Sequence, residues 1–260
     1  MKTQLPLLVF TDLDGTLLSH SDYQWTQARP ALERLAQIGA GVVMASSKTA
    51  AEISVLREEI GLQHWPAIVE NGAGILPPHT RADAGTSQYA QLRAELDKVP
   101  APLRAKFLGF GDMDVSQVLE MTGLSRPASM LAKRRAFSEP GIWSGTSQEK
   151  TDFLEALMSQ GVFAREGGRF LTLSFGGTKA DQMGQIIENY APRQTIALGD
   201  APNDIEMLEA ADFGVIVANQ HRDPLPELTG ERSGEIIRTM QQGPEGWNAA
   251  ILAHLTRLKL

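Results

Sequence analysis

The sequence predicts an α/β fold: a Rossmann-like parallel-sheet core into which a second, smaller α/β domain is inserted. Three observations carry this expectation. Short apolar runs alternate with helical stripes through residues 1–81, the same alternation returns over residues 179–260, and residues 82–178 between them differ in character and are too long for a loop. In the first segment Leu7 to Phe10 reads as a buried strand, and Leu32, Leu35 and Ile38 share one helical face that Pro30 opens and Gly39 ends. Gly41 to Ala45 is a second strand, Ile53, Leu56 and Ile60 stripe a second helix stopped by Gly61, and Ala67 to Val69 is a third strand. In the last segment Met183, Ile186 and Ile187 line a helix, Thr195 to Leu198 and Phe213 to Val217 read as strands, and Ile205 and Leu208 mark the helix between them. Trp247, Ala250, Ile251, Leu255 and Leu258 recur at helical spacing and are read as packing.

The insert predicts a strand at Lys106 to Phe110, helices at Val115 to Met121, Pro127 to Ala136 and near Phe153 to Met158, and a hairpin from Val162 to Phe175 turning at Gly167-Gly168. Composition narrows the function. The 260 residues include no cysteine, which excludes thiol nucleophiles, disulfides and zinc–thiolate sites. A net charge of −7 argues against nucleic acid as a partner. No apolar stretch reaches the roughly 18 residues that a membrane span needs, and a cytoplasmic protein without a membrane partner is expected.

Chemistry concentrates at strand ends, where open α/β sheets bind ligands. Asp12-Leu13-Asp14-Gly15-Thr16 follows the first apolar run, and on an extended chain residues two apart point the same way. Hydrolysis of a phosphate monoester needs such a pair: one carboxylate to attack phosphorus and one carboxyl group to protonate the leaving oxygen. An anion attacking a dianion also calls for Mg²⁺ and a further carboxylate, and Gly199-Asp200-Ala201-Pro202-Asn203-Asp204 supplies one after another apolar strand. Ser46, after the second strand, offers a hydroxyl and nearby backbone N–H groups to phosphate oxygens, and Lys179 offers positive charge.

These four clusters resemble the haloacid dehalogenase superfamily of aspartate-nucleophile phosphatases, whose Asp-x-Asp-Gly-Thr and Gly-Asp-x-x-Asn-Asp signatures match Asp12 to Thr16 and Gly199 to Asp204. The resemblance implies that Asp12 is the nucleophile, Asp14 the acid/base, Ser46 the phosphate-binding hydroxyl and Lys179 the family's lysine. It also implies Mg²⁺ held by Asp12, the carbonyl of Asp14 and Asp200, with Asn203 and Asp204 supporting that shell, and an insert of the type-two (C2B-like) cap kind. A closer resemblance, to the mannosyl-3-phosphoglycerate phosphatase family, rests on Ser46-Ser47-Lys48-Thr49, Glu70-Asn71-Gly72-Ala73, Gly109 to Met113, Phe137 to Pro140, Gly168-Arg169-Phe170 and Gly243 to Asn248. It implies a small phosphorylated sugar-acid substrate.

On that reading Ser47, Lys48, Asn71, Arg135 and Arg169 are candidates for substrate binding, the arginines because their planar fork matches a glycerate carboxylate. Two other functions fit the same residues: a broad sugar-phosphate phosphatase, including glucosyl-3-phosphoglycerate or sucrose-phosphate types, and a non-catalytic module that binds a phosphometabolite. Retention of both Asp12 and Asp14 speaks against the last, because a binder has no use for an attacking anion. Nothing in the sequence bears on oligomeric state.

Overall fold

A computed structural model describes residues 4–81, 87–167 and 169–260. Along the chain the elements are β1 (Leu8–Thr11), α1 (Arg29–Gln37), β2 (Gly41–Ala45), α2 (Ala50–Ile60), β3 (Ala67–Val69) and β4 (Gly74–Leu76). Then come α3 (Ser87–Leu96), α4 (Ala101–Arg104), β5 (Phe107–Gly109), α5 (Val115–Thr122), α6 (Arg126–Ala132), β6 (Ser138–Trp143), α7 (Ser147–Met158), β7 (Phe163–Gly167) and β8 (Phe170–Ser174). The chain finishes with α8 (Lys179–Tyr190), β9 (Thr195–Gly199), α9 (Ile205–Ala210), β10 (Phe213–Ala218), β11 (Ile236–Gln242) and α10 (Gly243–Leu258). The chain divides into two compact units, one of Met1–Ser46, Leu62–His79 and Thr178–Leu260, the other of Ser47–Gly61 and Thr80–Gly177.

The first unit is built on a seven-stranded sheet in the order β11-β10-β9-β1-β2-β3-β4. All its pairings are parallel except the last, where β4 runs antiparallel to β3. β1, β2 and β9 are buried along their whole length, which is why they appear in the sequence as unbroken apolar runs rather than alternating ones. Leu8, Phe10, Val43, Ala45 and Ala197 pack with Met183 and Ile186 of α8 and with Met207 and Leu208 of α9. α10 packs along α1, β10 and β11, with Trp247 fully buried. The strand order changes direction at β1: the chain proceeds to β2 and β3 on one side and returns at β9 on the other. That switch point, at the carboxyl ends of β1 and β9, is where an open α/β sheet presents its crevice.

The second unit carries a four-stranded antiparallel sheet ordered β5-β6-β8-β7. Leu92 and Leu96 of α3, Phe107 of β5, Phe153 and Leu157 of α7, and Leu171 and Leu173 of β8 form its core. α2, which the alternating pattern links to β2 and β3, groups with this unit and packs on α6. Two local expectations are corrected. The helix expected from Pro127 to Ala136 ends at Ala132 with Lys133 as its C-cap; the Lys133 ammonium bonds to the carbonyls of Phe110 and Met113, and the chain goes on to β6. In the β7–β8 hairpin Gly167 is still paired, opposite Phe170, so it is a strand residue and not part of the turn; Gly168, the other residue of the expected turn, lies outside the described residues.

Candidate active site

Register assembles the site. Parallel pairing of Thr11 with Leu198 and a bond from the Asp12 N–H to the Leu198 carbonyl, 2.9 Å, bring Asp12 alongside the residues that follow β9. On the other side Thr11 pairs with Met44, so Ser46 lies at the neighbouring strand end, where it is buried. After Asp14 the chain doubles back, with the Gly15 N–H bonded to the Leu18 carbonyl at 2.9 Å. Gly15 adopts φ +90°, and a Cβ there would sit 2.6 Å from the Asn219 amide and 3.0 Å from Asp200 Oδ2, so both backbone and space demand glycine.

Lys179 is the hub of the charged groups. It is the first residue of α8, whose N-cap Thr178 forms a reciprocal capping box with Asp181. Its buried ammonium donates to Asp12 Oδ1 and to Asp204 Oδ1, each at 2.7 Å. Burial disfavours that charge, yet the two carboxylates outweigh it and hold Lys179 above the usual lysine range. Burial pushes the Asp12 carboxyl up to about 6, with Lys179 pulling against it and Asp200 and Asp14 adding to it. Asp204, also raised by burial, spends its other oxygen on the N–H groups of Asp200 and Ala201, at 3.1 and 3.0 Å, and thereby ties off the loop.

Asp12, Asp200 and Asp204 each offer one oxygen within 4.8 Å of the others, all buried, a group that could hold a metal ion. The donor chemistry fits Mg²⁺, which takes hard oxygen ligands. Burial raises Asp12 most, and the smaller repulsion from Asp200 and Asp14 that adds to it is what a divalent cation would relieve. Within this group Asp204 also accepts from Lys179 and from two backbone N–H groups, so it holds the acidic loop and the lysine together. Asn203 is exposed and donates to Asn71 Oδ1 at 3.1 Å. The remaining candidates, Ser47, Lys48, Arg135 and Arg169, belong to the second unit. There Arg135 is buried and donates to the Ser138 carbonyl at 3.2 Å and its hydroxyl at 2.6 Å, whereas Arg169 is exposed.

Further residues join the site, of which the sequence reading quoted only Thr16, as the end of the first signature, and Trp247, as packing, without giving either this role. Thr16 donates to Asp200 Oδ1 at 2.9 Å, Asn219 to Asp200 Oδ2 at 2.6 Å, and Arg222 lies 3.4 Å from the same oxygen. Asn219 follows β10 directly, so the strand-end rule that selected Asp12 and Asp200 would have selected it too. Trp247 donates to Thr11 Oγ1 at 3.0 Å, and that hydroxyl donates to the Asp12 carbonyl at 2.7 Å.

A family model described as haloacid dehalogenase-like hydrolase matches residues 9–94 and 146–224, more than half of the chain. The chain belongs to this family. Its fold recurs in solved structures. BT1666 from Bacteroides thetaiotaomicron, described among phosphatases of the haloalkanoate enzyme superfamily, is 19% identical with a TM-score of 0.66 over 98% of this chain and 97% of that one. A protein from Geobacillus kaustophilus is 19% identical, TM-score 0.67, covering 98% of this chain and 99% of the other. The sucrose-phosphatase of Synechocystis, solved with sucrose and phosphate, is 17% identical, TM-score 0.61, with 98% and 99% covered. The matched segments include Asp12, Asp14, Ser46, Lys179, Asp200 and Asp204, so the clustered residues lie within the part of the chain that carries the family pattern.

Proposed function

We propose that this haloacid dehalogenase-like hydrolase is a Mg²⁺-dependent phosphatase that works through an aspartyl-phosphate, and that its substrate is mannosyl-3-phosphoglycerate. The observation that carries the hydrolytic reading is the Asp12–Lys179–Asp204 triangle beside Asp200, a buried carboxylate poised against an ammonium at 2.7 Å. Asp12 Oδ attacks phosphorus and the ester P–O bond breaks, while the Asp14 carboxyl gives its proton to the departing alkoxide. Water then attacks the same phosphorus, Asp14 takes up its proton, and the bond to Asp12 breaks to release inorganic phosphate. Ser46 and the backbone N–H groups near it would hold phosphoryl oxygens, and Lys179 would balance the charge shared by Asp12 and the phosphoryl group. The ion would be held by Asp12, Asp200 and the Asp14 carbonyl, and when bound it offsets the repulsion between attacking carboxylate and phosphate.

The substrate rests on the Ser46 to Thr49, Glu70 to Ala73 and Gly243 to Asn248 segments and on the arginines of the second unit, which acts as the cap. A sugar-phosphate phosphatase of the sucrose-phosphatase kind is the second reading, favoured by the likeness in fold to the Synechocystis enzyme. A phosphate-release assay with Mg²⁺ on mannosyl-3-phosphoglycerate, glucosyl-3-phosphoglycerate and sucrose 6-phosphate separates them. A preference of orders of magnitude for the mannosyl ester is expected, and comparable rates on all three would sink the specific assignment. Trapping of ³²P on Asp12 during turnover tests the covalent step.

A further inference from the structure

Three consecutive residues after β3 hold left-handed backbone: Glu70 at φ 53°, Asn71 at φ 59° and Gly72 at φ 90°. Such a run is costly for non-glycine residues and persists only where the surroundings enforce it. Here the surroundings are the site. The Asn71 N–H donates to the Ser46 carbonyl at 2.9 Å, and its side-chain oxygen accepts from Asn203 at 3.1 Å. Gln182 of α8 donates to the Gly72 carbonyl at 3.0 Å. Gly72 also lies so close to the start of α8 that a Cβ would fall 2.1 Å from the Thr178 carbonyl carbon and 2.4 Å from the Lys179 nitrogen. One tripeptide therefore touches the end of β2, the acidic loop and the turn that carries Lys179.

We propose that Glu70–Gly72 is a brace that sets the span between the Ser46 hydroxyl and the Lys179 ammonium, with Gly72 as its positioning residue. The inference rests on the phosphatase reading, in which those two groups hold the transferring phosphoryl group. Lys179 opens α8, so the place of that helix end decides where its ammonium lies. Close approach of Gly72 stops the helix end from moving towards β3, and the Gln182 bond stops it from receding. A methyl group on residue 72 meets backbone on the far side, which cannot rotate away as a side chain would. The added atom has to push the first turn of α8, and an ångström of misplacement can cost up to about 100-fold where orientation drives a reaction.

Gly72→Ala and Gln182→Leu in the full chain with Mg²⁺ test this, through melting temperature, kcat and KM on p-nitrophenyl phosphate, and Ki for inorganic phosphate. Gly72→Ala is expected to lower kcat and raise the Ki of phosphate by about tenfold or more in protein that still unfolds cooperatively. Gln182→Leu should move both in the same direction by about three- to tenfold, the scale of one hydrogen bond. A loop that serves folding alone would lower the melting temperature and leave the Ki of phosphate unchanged, and that result in either folded variant overturns the brace. If Gly72→Ala fails to fold, Gln182→Leu decides alone. Wild-type protein that does not hydrolyse p-nitrophenyl phosphate would overturn the phosphatase reading and the brace together, whereas an unchanged Ki in the variants beside an active wild type overturns only the brace.

Discussion

Asp12 carries the most chemistry for its size, and its environment states what it needs. Burial raises its pKa, Lys179 pulls against that rise, and Asp200 and Asp14 add to it. Asp12→Asn keeps the shape and the bond from Lys179 while removing the attacking oxyanion, so kcat should fall by about a hundredfold or more with the fold intact. Residual kcat above about a tenth of wild type, in protein free of wild-type enzyme, would remove Asp12 from the nucleophile's role. On the proposed reading Asp200→Ala should raise the Mg²⁺ concentration for half-maximal activity, because a hard oxygen ligand would be lost; an unaltered requirement in a magnesium titration would place the ion elsewhere. Far from the chemistry, His254 is buried against Phe213, and burial with Arg257 nearby lowers its pKa to about 4. The unfolded chain binds that proton near pH 6.5 while the folded one does not, so stability is lost as pH falls from about 6.5 to 4, by up to ~3 kcal/mol. His254→Phe should flatten the pH dependence of urea unfolding in that window, and an unchanged slope would show that other groups set it. Of the residues that the structure brings together, Asp12, Lys179, Asp200 and Asp204 were legible in the sequence, because they follow an apolar run, open a helix or close the acidic loop. Arg222, the Thr16 bond to Asp200 and the Trp247–Thr11 bond were not, because their partners are brought to them only by strand order.

At the scale of elements, legibility followed burial. β1, β2, β3, β9 and β10 are buried runs and stand out in the sequence. β11 is an edge strand with mostly exposed residues and no apolar run, and β4 is only three residues long. β6 hides for another reason. It contains Pro140, Gly141 and Glu139, whose fully buried carboxylate is satisfied by the Tyr89 hydroxyl at 2.6 Å, Arg93 at 2.8 Å and the Gly111 N–H at 2.7 Å. A charge that pattern reading assigns to solvent is here a core residue, because three donors from distant segments meet it. α3 buries only Leu92 and Leu96, too few to announce a stripe. The element most exposed to test is α8. Thr178 caps it through the Asp181 N–H at 3.0 Å, and Thr178→Ala should cost about 1 kcal/mol of stability. Since the next residue is Lys179, kcat should fall by more than the loss of folded protein explains. Thermal melts beside kcat on p-nitrophenyl phosphate separate the two, and a kcat that simply follows the folded fraction would mean that the cap does not position the lysine.

For the whole molecule, the proposed reading assigns chemistry to one of the two units and selectivity to the other. Asp12, Asp14, Ser46, Lys179 and Asp200 all belong to the sheet-bearing unit, so turnover of p-nitrophenyl phosphate, a small ester with a good leaving group, reports on that unit. Arg135 and Arg169 belong to the other unit, so the ratio of activity on a phosphoglycerate ester to that on p-nitrophenyl phosphate reports on what it recognises. The two arginines are not equivalent. Truncating buried Arg135 would strip donors from the Ser138 carbonyl and hydroxyl, so Arg135→Ala should lower the melting temperature whatever the substrate. Arg169 is exposed, with one long bond of 3.5 Å to the Thr122 carbonyl, and can be removed without a gap in the core. If it reads the glycerate carboxylate, Arg169→Ala should lower kcat/KM on mannosyl-3-phosphoglycerate by roughly tenfold or more, the scale of a charge-assisted bond, and leave p-nitrophenyl phosphate untouched. Parallel loss on both substrates would mean that Arg169 supports its own unit. No loss on either would pass the carboxylate to another cation of that unit, for which Lys48, in the Ser46 to Thr49 segment, is the next residue to replace.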